Sequence, residues 1–198
     1  PDELEILGIT AVAGNVPLSL TQRNARIVCD IAQNKDTTVY AGCPRPMLLE
    51  LVTAENVHGN TGLDGVDVYE PEQILGDLHA VDFIAETLKA ANKNSITLVP
   101  TGPLTNIAMA IIKDPTIIDN IKQIVLMGGA MREAGNLSAS AEFNMRVDPH
   151  AAQVVFDCGK PITVMSLDVT HKVLTTKERV KRISEIGNPA AIATAGML

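Results

Sequence analysis

The sequence predicts an α/β fold: an open, mostly parallel sheet flanked by helices. Three observations carry this. Apolar runs of strand length alternate along the chain with segments of helical periodicity, the order that βαβ units produce. The interior must be aliphatic, because 46% of the 198 residues are hydrophobic while only 3% are aromatic and none is Trp. Parallel strands covered on both faces are built from such Val/Ile/Leu-rich runs. Finally, four strand candidates stop at Gly or polar residues, which is how such a sheet presents polar groups at the carboxyl ends of its strands.

Taken in order, Glu5 to Ala13 is the first strand candidate and breaks at Gly14-Asn15. Ser19 is placed to cap a helix to about Gln33, with Leu20, Ala25, Ile27, Val28 and Ile31 as its apolar stripe. Thr37 to Ala41 is a short β-branched strand. Gly42 to Gln73 is punctuated by Gly and Pro, and its length marks a functional loop or lid. Leu78 to Asn92 reads as a helix with Val81, Ile84, Ala85 and Leu88 on one face. Ser95 to Pro100 is a buried strand leading through Thr101-Gly102-Pro103 into a helix that ends at Lys113, and Pro115 opens another short helix. Ile121 to Met127 is the next strand. Asp148 to Cys158 is a helix closed by Gly159. Pro161 to Leu167 is a strand, Asp168 to Lys172 a loop, and Thr175 or Thr176 caps a charged helix to about Ile186. The alternation implies one sheet in a single domain spanning residues 1–198.

Composition narrows the functional classes. The formal net charge is −7 and no basic cluster occurs, so nucleic acid is not an expected partner. No apolar run has the length of a membrane span, and no membrane partner is expected. Cys29, Cys43 and Cys158 are odd in number and widely spaced, which favours a reducing, cytoplasmic location over a disulfide framework or a zinc site. Pro1 leads almost at once into a strand, and the end at Leu198 falls in or just after a helical segment, so the chain is expected to be a piece of a larger domain.

The most informative stretch is Met127-Gly128-Gly129, followed by a loop carrying Asn136, Glu142 and Asn144. A carboxylate between two amides suits a sugar, because these groups accept from and donate to vicinal hydroxyls, and Phe143 offers a flat apolar wall. Gly14-Asn15, Thr101-Gly102, Met127-Gly128-Gly129 and Leu167-Asp168 lie at strand ends that an open sheet gathers into one crevice. Glu142 and Asn144 should therefore point into the crevice beside Asn15 and the Thr101 carbonyl. As a carboxylate reached by solvent, Glu142 should contribute little to stability. Taken singly, Asn15 reads equally as a turn residue, and Thr101-Gly102-Pro103 as a strand-to-helix turn with Thr105 as cap. His58, in a loop of mobile character, reads as structural or solvated unless other residues recruit it. His79 and His150 read as helix-surface residues, Arg23 and Arg26 as a solvated helix face. The Thr101 carbonyl oxygen is the kind of ligand a hard cation takes.

Together these segments resemble the inosine-uridine-preferring nucleoside hydrolases, the ribonucleoside N-ribohydrolases. The matching stretches are Gly8 to Asn15, Asn24-Ala-Arg26, Val57-His-Gly-Asn-Thr-Gly-Leu63, Val99 to Ala108, Val125 to Gly129, Gly135-Asn136, Ala141-Glu-Phe-Asn144, Asp148-Pro149 and Leu167-Asp-Val-Thr-His171. The resemblance implies hydrolysis of the N-glycosidic bond to ribose and free base, with a bound Ca²⁺ that activates the attacking water, and a dimer or tetramer. It implies that Asn15, Glu142 and Asn144 hold ribose hydroxyls and that Asn136, Met127 and Phe143 line the sugar pocket. His58 would lie near the base or the ring oxygen, and the Thr101 backbone oxygen would be a Ca²⁺ ligand. The family's Asp-rich motif, of the form DxDxxxDD, supplies most metal carboxylates and the general base. It would lie upstream, and Asp2 and Glu3 do not reproduce it. A later segment with a further Asp ligand and a His would lie beyond Leu198. The chain thus resembles the family with both ends missing.

Two other readings compete. The first is a truncated, catalytically inactive homologue acting as a sugar-binding or interaction module. The second is an unrelated α/β nucleotide-binding domain, which leaves Glu142-Phe143-Asn144 unexplained.

Overall fold

Every strand pairing in the computed structural model, which describes residues 3–198, is parallel. Asp2, one of the acidic residues weighed at the N-terminus, lies outside the described residues. β1 (Ile9–Ala11) pairs with β2 (Val39–Ala41), and β3 (Ile96–Leu98), β4 (Ile121–Met127) and β5 (Ile162–Met165) form a second ladder in that order. Among the described residues the expected single sheet is thus two parallel ladders. The first ladder is tied to the helix that follows β3 by a side chain: Asn106 Nδ2 donates to the Ala11 carbonyl at 2.9 Å, and its Oδ1 accepts from Cys43 N–H at 2.8 Å. A Cβ on Gly42 would run into that amide, so the junction needs a glycine there.

Helices cover the strands. α1 (Leu18–Ile31) packs on β1 and β2. It begins one residue before Ser19, which is exposed and caps nothing; Leu20 and Thr21 N–H bond back to the Pro17 carbonyl. α3 (Ala80–Ala90) is capped by His79, whose side chain accepts from Val81 N–H, and its expected face of Val81, Ile84, Ala85 and Leu88 is buried. α4 (Thr105–Lys113) is followed by a 3₁₀ turn, Pro115–Asn120, capped by Asp114. α6 (Pro149–Phe156) starts where Asp148-Pro149 places it, with the Asp148 side chain accepting from Ala151 N–H. The main core lies among α3, α4, α6 and the three-stranded ladder, where Leu88, Leu104, Ile117, Ile124, Leu126 and Val155 are almost wholly buried. Removing so much aliphatic surface from water, at about 25 cal/mol per Å², is the main force holding these layers together.

The first strand is shorter than Glu5 to Ala13, because only Ile9–Ala11 has a partner register on β2, while residues 3–7 are exposed. The segment 167–172 is not a plain loop: α7 (Leu167–Thr170) turns directly off β5. Thr176, rather than Thr175, caps α8 (Lys177–Ser184), and Asn188 caps α9 (Pro189–Met197).

The long segment 42–73 contains a single helical turn, α2 (Glu55–His58). It is tied down along its length. Met47 N–H donates to Asp148 Oδ2 at 2.9 Å, Ala54 N–H to the Asn15 carbonyl at 2.8 Å, and Asn24 Nδ2 to the Thr61 carbonyl at 2.7 Å. Gly65 packs backbone to backbone on Gly196 of α9. Arg26 corrects its sequence reading. Its Nη1 donates to the Gln73 carbonyl at 3.0 Å, and its side chain is only 11% exposed. Arg23 is half-buried and donates to Asn24 Oδ1. The polar face of α1 is covered by this segment, 47 positions further along at Gln73, rather than by solvent.

Candidate active site

β4 ends in the turn that organises the site. Gly129 has φ 76°, a left-handed conformation that glycine adopts without strain. At Gly128 a Cβ would come within 2.6 Å of Met145 Cε and 3.2 Å of Glu142 Oε2. The two glycines let a carboxylate approach the main chain: Glu142 Oε2 accepts from Gly129 N–H at 2.9 Å and from Met145 N–H at 3.2 Å. The second bond makes Glu142 the N-cap of α5 (Phe143–Val147), a favourable place for negative charge. Glu142 is 2% exposed, which corrects the expectation of a solvent-reached carboxylate with little structural weight. Its Oε1 accepts neither of these bonds.

Asn144, on α5 rather than in a loop, is buried as well. Its Nδ2 lies 3.1 Å from the Met127 carbonyl, 3.3 Å from Met127 Sδ and 3.4 Å from the Thr101 carbonyl. Asn144, Met127 and Thr101 thus converge across β3 and β4, whose ends are further joined by Met127 N–H on the Pro100 carbonyl. Thr101 itself is exposed. Thr105 is not a cap: α4 takes Leu104 at that position, and the Thr105 hydroxyl donates to Asp148 at 2.7 Å. Asn136 is exposed, and its Oδ1 accepts from Phe143 N–H at 2.8 Å, which folds the loop back onto the start of α5. Phe143 is half-buried.

The turn that follows β1 meets the Thr101 turn through Gly14. Gly14 faces Pro103 of the Thr101 turn, with the place of a Cβ 3.0 Å from Pro103 Cδ. The Asn15 carbonyl holds Ala54 N–H, and the Ala54 carbonyl accepts from His58 N–H at 3.0 Å. His58, exposed at the end of α2, is therefore attached to the Asn15 turn through one residue. His79 is exposed, His150 is half-buried, and His171 Nδ1 lies 3.6 Å from Glu133 Oε2.

The sequence marked Asp168 as a strand-end residue and Asp148 as a helix start, but gave neither a role in the site. Asp168 accepts backbone N–H bonds from Met131, Arg132 and Glu133 and a hydroxyl bond from Ser166. The Met131 bond leads in holding its carboxyl down at about 2, with burial opposing and the Arg132, Ser166 and Glu133 bonds adding to it. Asp148, wholly buried, joins Met47, Thr105 and Ala151. Burial pushes the Cys43 thiol up, and the charge of Asp148 adds to the rise. A residue before Pro at a helix start was the available signal for Asp148; nothing local marks the partners it gathers.

The arrangement gathers a carboxylate, an amide and two strand-end carbonyls at the ends of β3 and β4. It does not make a cation cage. Among the described residues no group of three or more His, Cys, Asp or Glu is placed to hold a metal ion. A cavity of about 640 Å³ opens elsewhere, between α8 and α9 beside Val180, Lys181 and Leu198, and contains none of these residues.

A parallel α/β frame with polar groups gathered at its strand ends defines the class as an open-sheet α/β protein. The sequence profile of the "Inosine-uridine preferring nucleoside hydrolase" family matches residues 1–198, and the chain belongs to that family. It is 46% identical over 196 residues to an uncharacterized protein of Schizosaccharomyces pombe, covering 99% of this chain and 63% of that protein. It is 45% identical over 188 residues to the pyrimidine-specific ribonucleoside hydrolase RihB of Shigella flexneri, covering 94% of this chain and 59% of that enzyme. The purine-preferring ribonucleoside hydrolase from Gardnerella vaginalis superposes with a TM-score of 0.93 at 35% identity, over 100% of this chain and 63% of that structure. The chain thus spans about three fifths of the length of these relatives.

Proposed function

We propose that the whole protein hydrolyses the N-glycosidic bond of ribonucleosides, giving ribose and a free base. The observation that carries this is that Glu142 and Asn144 are both held at the end of β4, on Gly129 N–H and the Met127 carbonyl, in a chain that belongs to the nucleoside hydrolase family. Glu142 Oε1, Asn144 and Asn15 hold the ribose hydroxyls. Met127, Asn136 and Phe143 line the sugar pocket, and His58 faces the base or the ring oxygen. As the C–N bond breaks, positive charge develops on the sugar, and the fixed carboxylate of Glu142 at the hydroxyls stabilises it more than the neutral ground state. Preorganisation by Gly129 and Met145 N–H means that Glu142 need not reorient as that charge appears.

Ca²⁺ belongs to this proposal for the whole protein, with the Thr101 carbonyl as a ligand. Ca²⁺ takes about six to eight oxygens. The described residues do not fit that demand, since Thr101 brings no carboxylate cluster with it and its carbonyl faces Asn144 Nδ2. The roles above therefore rest on the chain's own side chains. A cytoplasmic dimer or tetramer is part of the same proposal. Among the described residues, no helix is long and apolar enough to cross a membrane.

The test is full-length protein incubated with uridine or inosine, with and without phosphate. Free ribose should appear in both conditions. Ribose 1-phosphate formed only with phosphate would replace the hydrolase with a phosphorylase. Nucleoside binding without ribose release would favour the inactive sugar-binding homologue.

A further inference from the structure

The carboxylate of Asp168 is engaged by three successive backbone N–H groups. Asp168 Oδ2 accepts from Met131 N–H at 2.9 Å, and Oδ1 accepts from Arg132 at 2.9 Å and Glu133 at 3.3 Å. Successive amides turned toward one point form an anion-binding nest, and here the anion is the protein's own. Ser166 Oγ donates to Oδ2 at 3.0 Å and fixes the rotamer. Two main-chain bonds continue the seam: Gly128 N–H to the Met165 carbonyl at 3.3 Å, and Leu167 N–H to the Gly129 carbonyl at 3.0 Å.

The segment 128–133 is therefore sewn on one side to the end of β5 and the start of α7. On its other side Gly129 N–H holds Glu142. Its continuation leads to Asn136, which folds onto Phe143. Glu142 is bonded to this strip and Asn136 follows directly from it. Outside the seam the strip has little to hold it, since residues 131–134 are exposed.

We propose that Asp168 is a positioning residue for the sugar cradle. By anchoring the amides of 131–133 it sets the position of Gly129 N–H, and through it the Glu142 carboxylate that binds ribose. The inference rests on the hydrolase reading above, and it extends that reading to a residue that touches no substrate.

The test uses full-length protein carrying Asp168→Asn, Glu142→Gln, or both. Asn keeps the size of Asp but loses the charge and one acceptor oxygen. Amide exchange at 131–133 should quicken in Asp168→Asn by tenfold or more, while β4 and β5 keep wild-type protection. Unchanged exchange at these amides would overturn the tether. With uridine or inosine, Asp168→Asn should lower kcat/KM about tenfold, about 1.4 kcal/mol. If Asp168 acts through Glu142, the double variant should be no slower than Glu142→Gln alone, because contacts in one chain do not add. Losses that multiply would overturn positioning and leave Asp168 a general stabiliser of the fold. A wild-type protein that releases no ribose would sink the hydrolase reading and the positioning role with it, whatever the exchange shows. An active wild type with multiplying losses sinks the positioning role alone.

Discussion

Replacing Glu142 separates structure from chemistry at the centre of the site. In Glu142→Ala two backbone donors lose their acceptor. The Met145 N–H bond is a helix cap, and losing such a cap costs about 0.5–2 kcal/mol. The Gly129 N–H bond is made to a carboxylate that is 2% exposed, and a buried donor left unpaired costs about 1–3 kcal/mol. Together they predict a destabilisation of about 1.5–5 kcal/mol, where a free pocket carboxylate would cost almost nothing. Glu142→Gln behaves differently. Both bonds go to the single oxygen Oε2, so an amide oxygen in its place can accept both, and stability should fall by less than about 1 kcal/mol. What is lost is the charge and the second acceptor, because an amide nitrogen takes the place of Oε1. A charge-assisted bond to a hydroxyl is worth about 1.5–3 kcal/mol, so kcat/KM should drop by about tenfold to a hundredfold if that bond strengthens in the transition state. Urea unfolding and ribose release on the full-length protein read the two effects separately. An Ala variant with the wild-type midpoint would refute the cap argument. A Gln variant within about twofold of wild-type kcat/KM would remove Glu142 from the sugar site.

Three further expectations follow from neighbouring residues. Asp148→Ala leaves Met47 N–H, the Thr105 hydroxyl and Ala151 N–H without their shared acceptor, and urea unfolding should show a loss of at least about 3 kcal/mol. The carboxyl of Asp168 sits at about 2, below its ordinary value, so its stabilising contribution is complete above about pH 4 and lost as pH falls through about 2. Protection of amides 131–133, corrected for intrinsic exchange, should be flat from about pH 5 to 8 and collapse only in that acid window; a collapse near pH 6 would contradict the assignment. Chelation of Ca²⁺ should abolish ribose release by the whole protein, and Ca²⁺ should restore it, whereas the 198-residue chain alone should bind Ca²⁺ weakly in calorimetry. Tight stoichiometric binding by that chain would show that a cage exists among its residues.

Much of the fold could be read directly, because its signals are local. The apolar run Ile121 to Met127 is β4 residue for residue, and Asp148-Pro149 opens α6 where a capping Asp before Pro at the first helical position should. Gly159, with φ 75°, lies just past the end of that helix. The polar triplet after Gly128-Gly129 was visible as a sugar-binding candidate because two glycines before a carboxylate allow close approach to backbone. Short elements were harder to see. α5 is five residues long, too short for a 3.6-residue period to declare itself, so Phe143 and Asn144 read as loop.

The sequence by itself determined the parallel α/β class, the order of the elements and which strand ends carry polar groups, since each depends on residues a few positions apart. Only the tertiary structure decided what those groups do for one another. Asn106 bridges to Ala11 across 95 positions and Asp148 to Met47 across 101, and Arg26 turns inward because the loop near Gln73 lies over it. Asp168 became the anchor of a loop 35–37 positions away for the same reason. A hydrogen bond depends on the positions of two groups in space, and for partners this far apart that distance is set by the packing of everything between them.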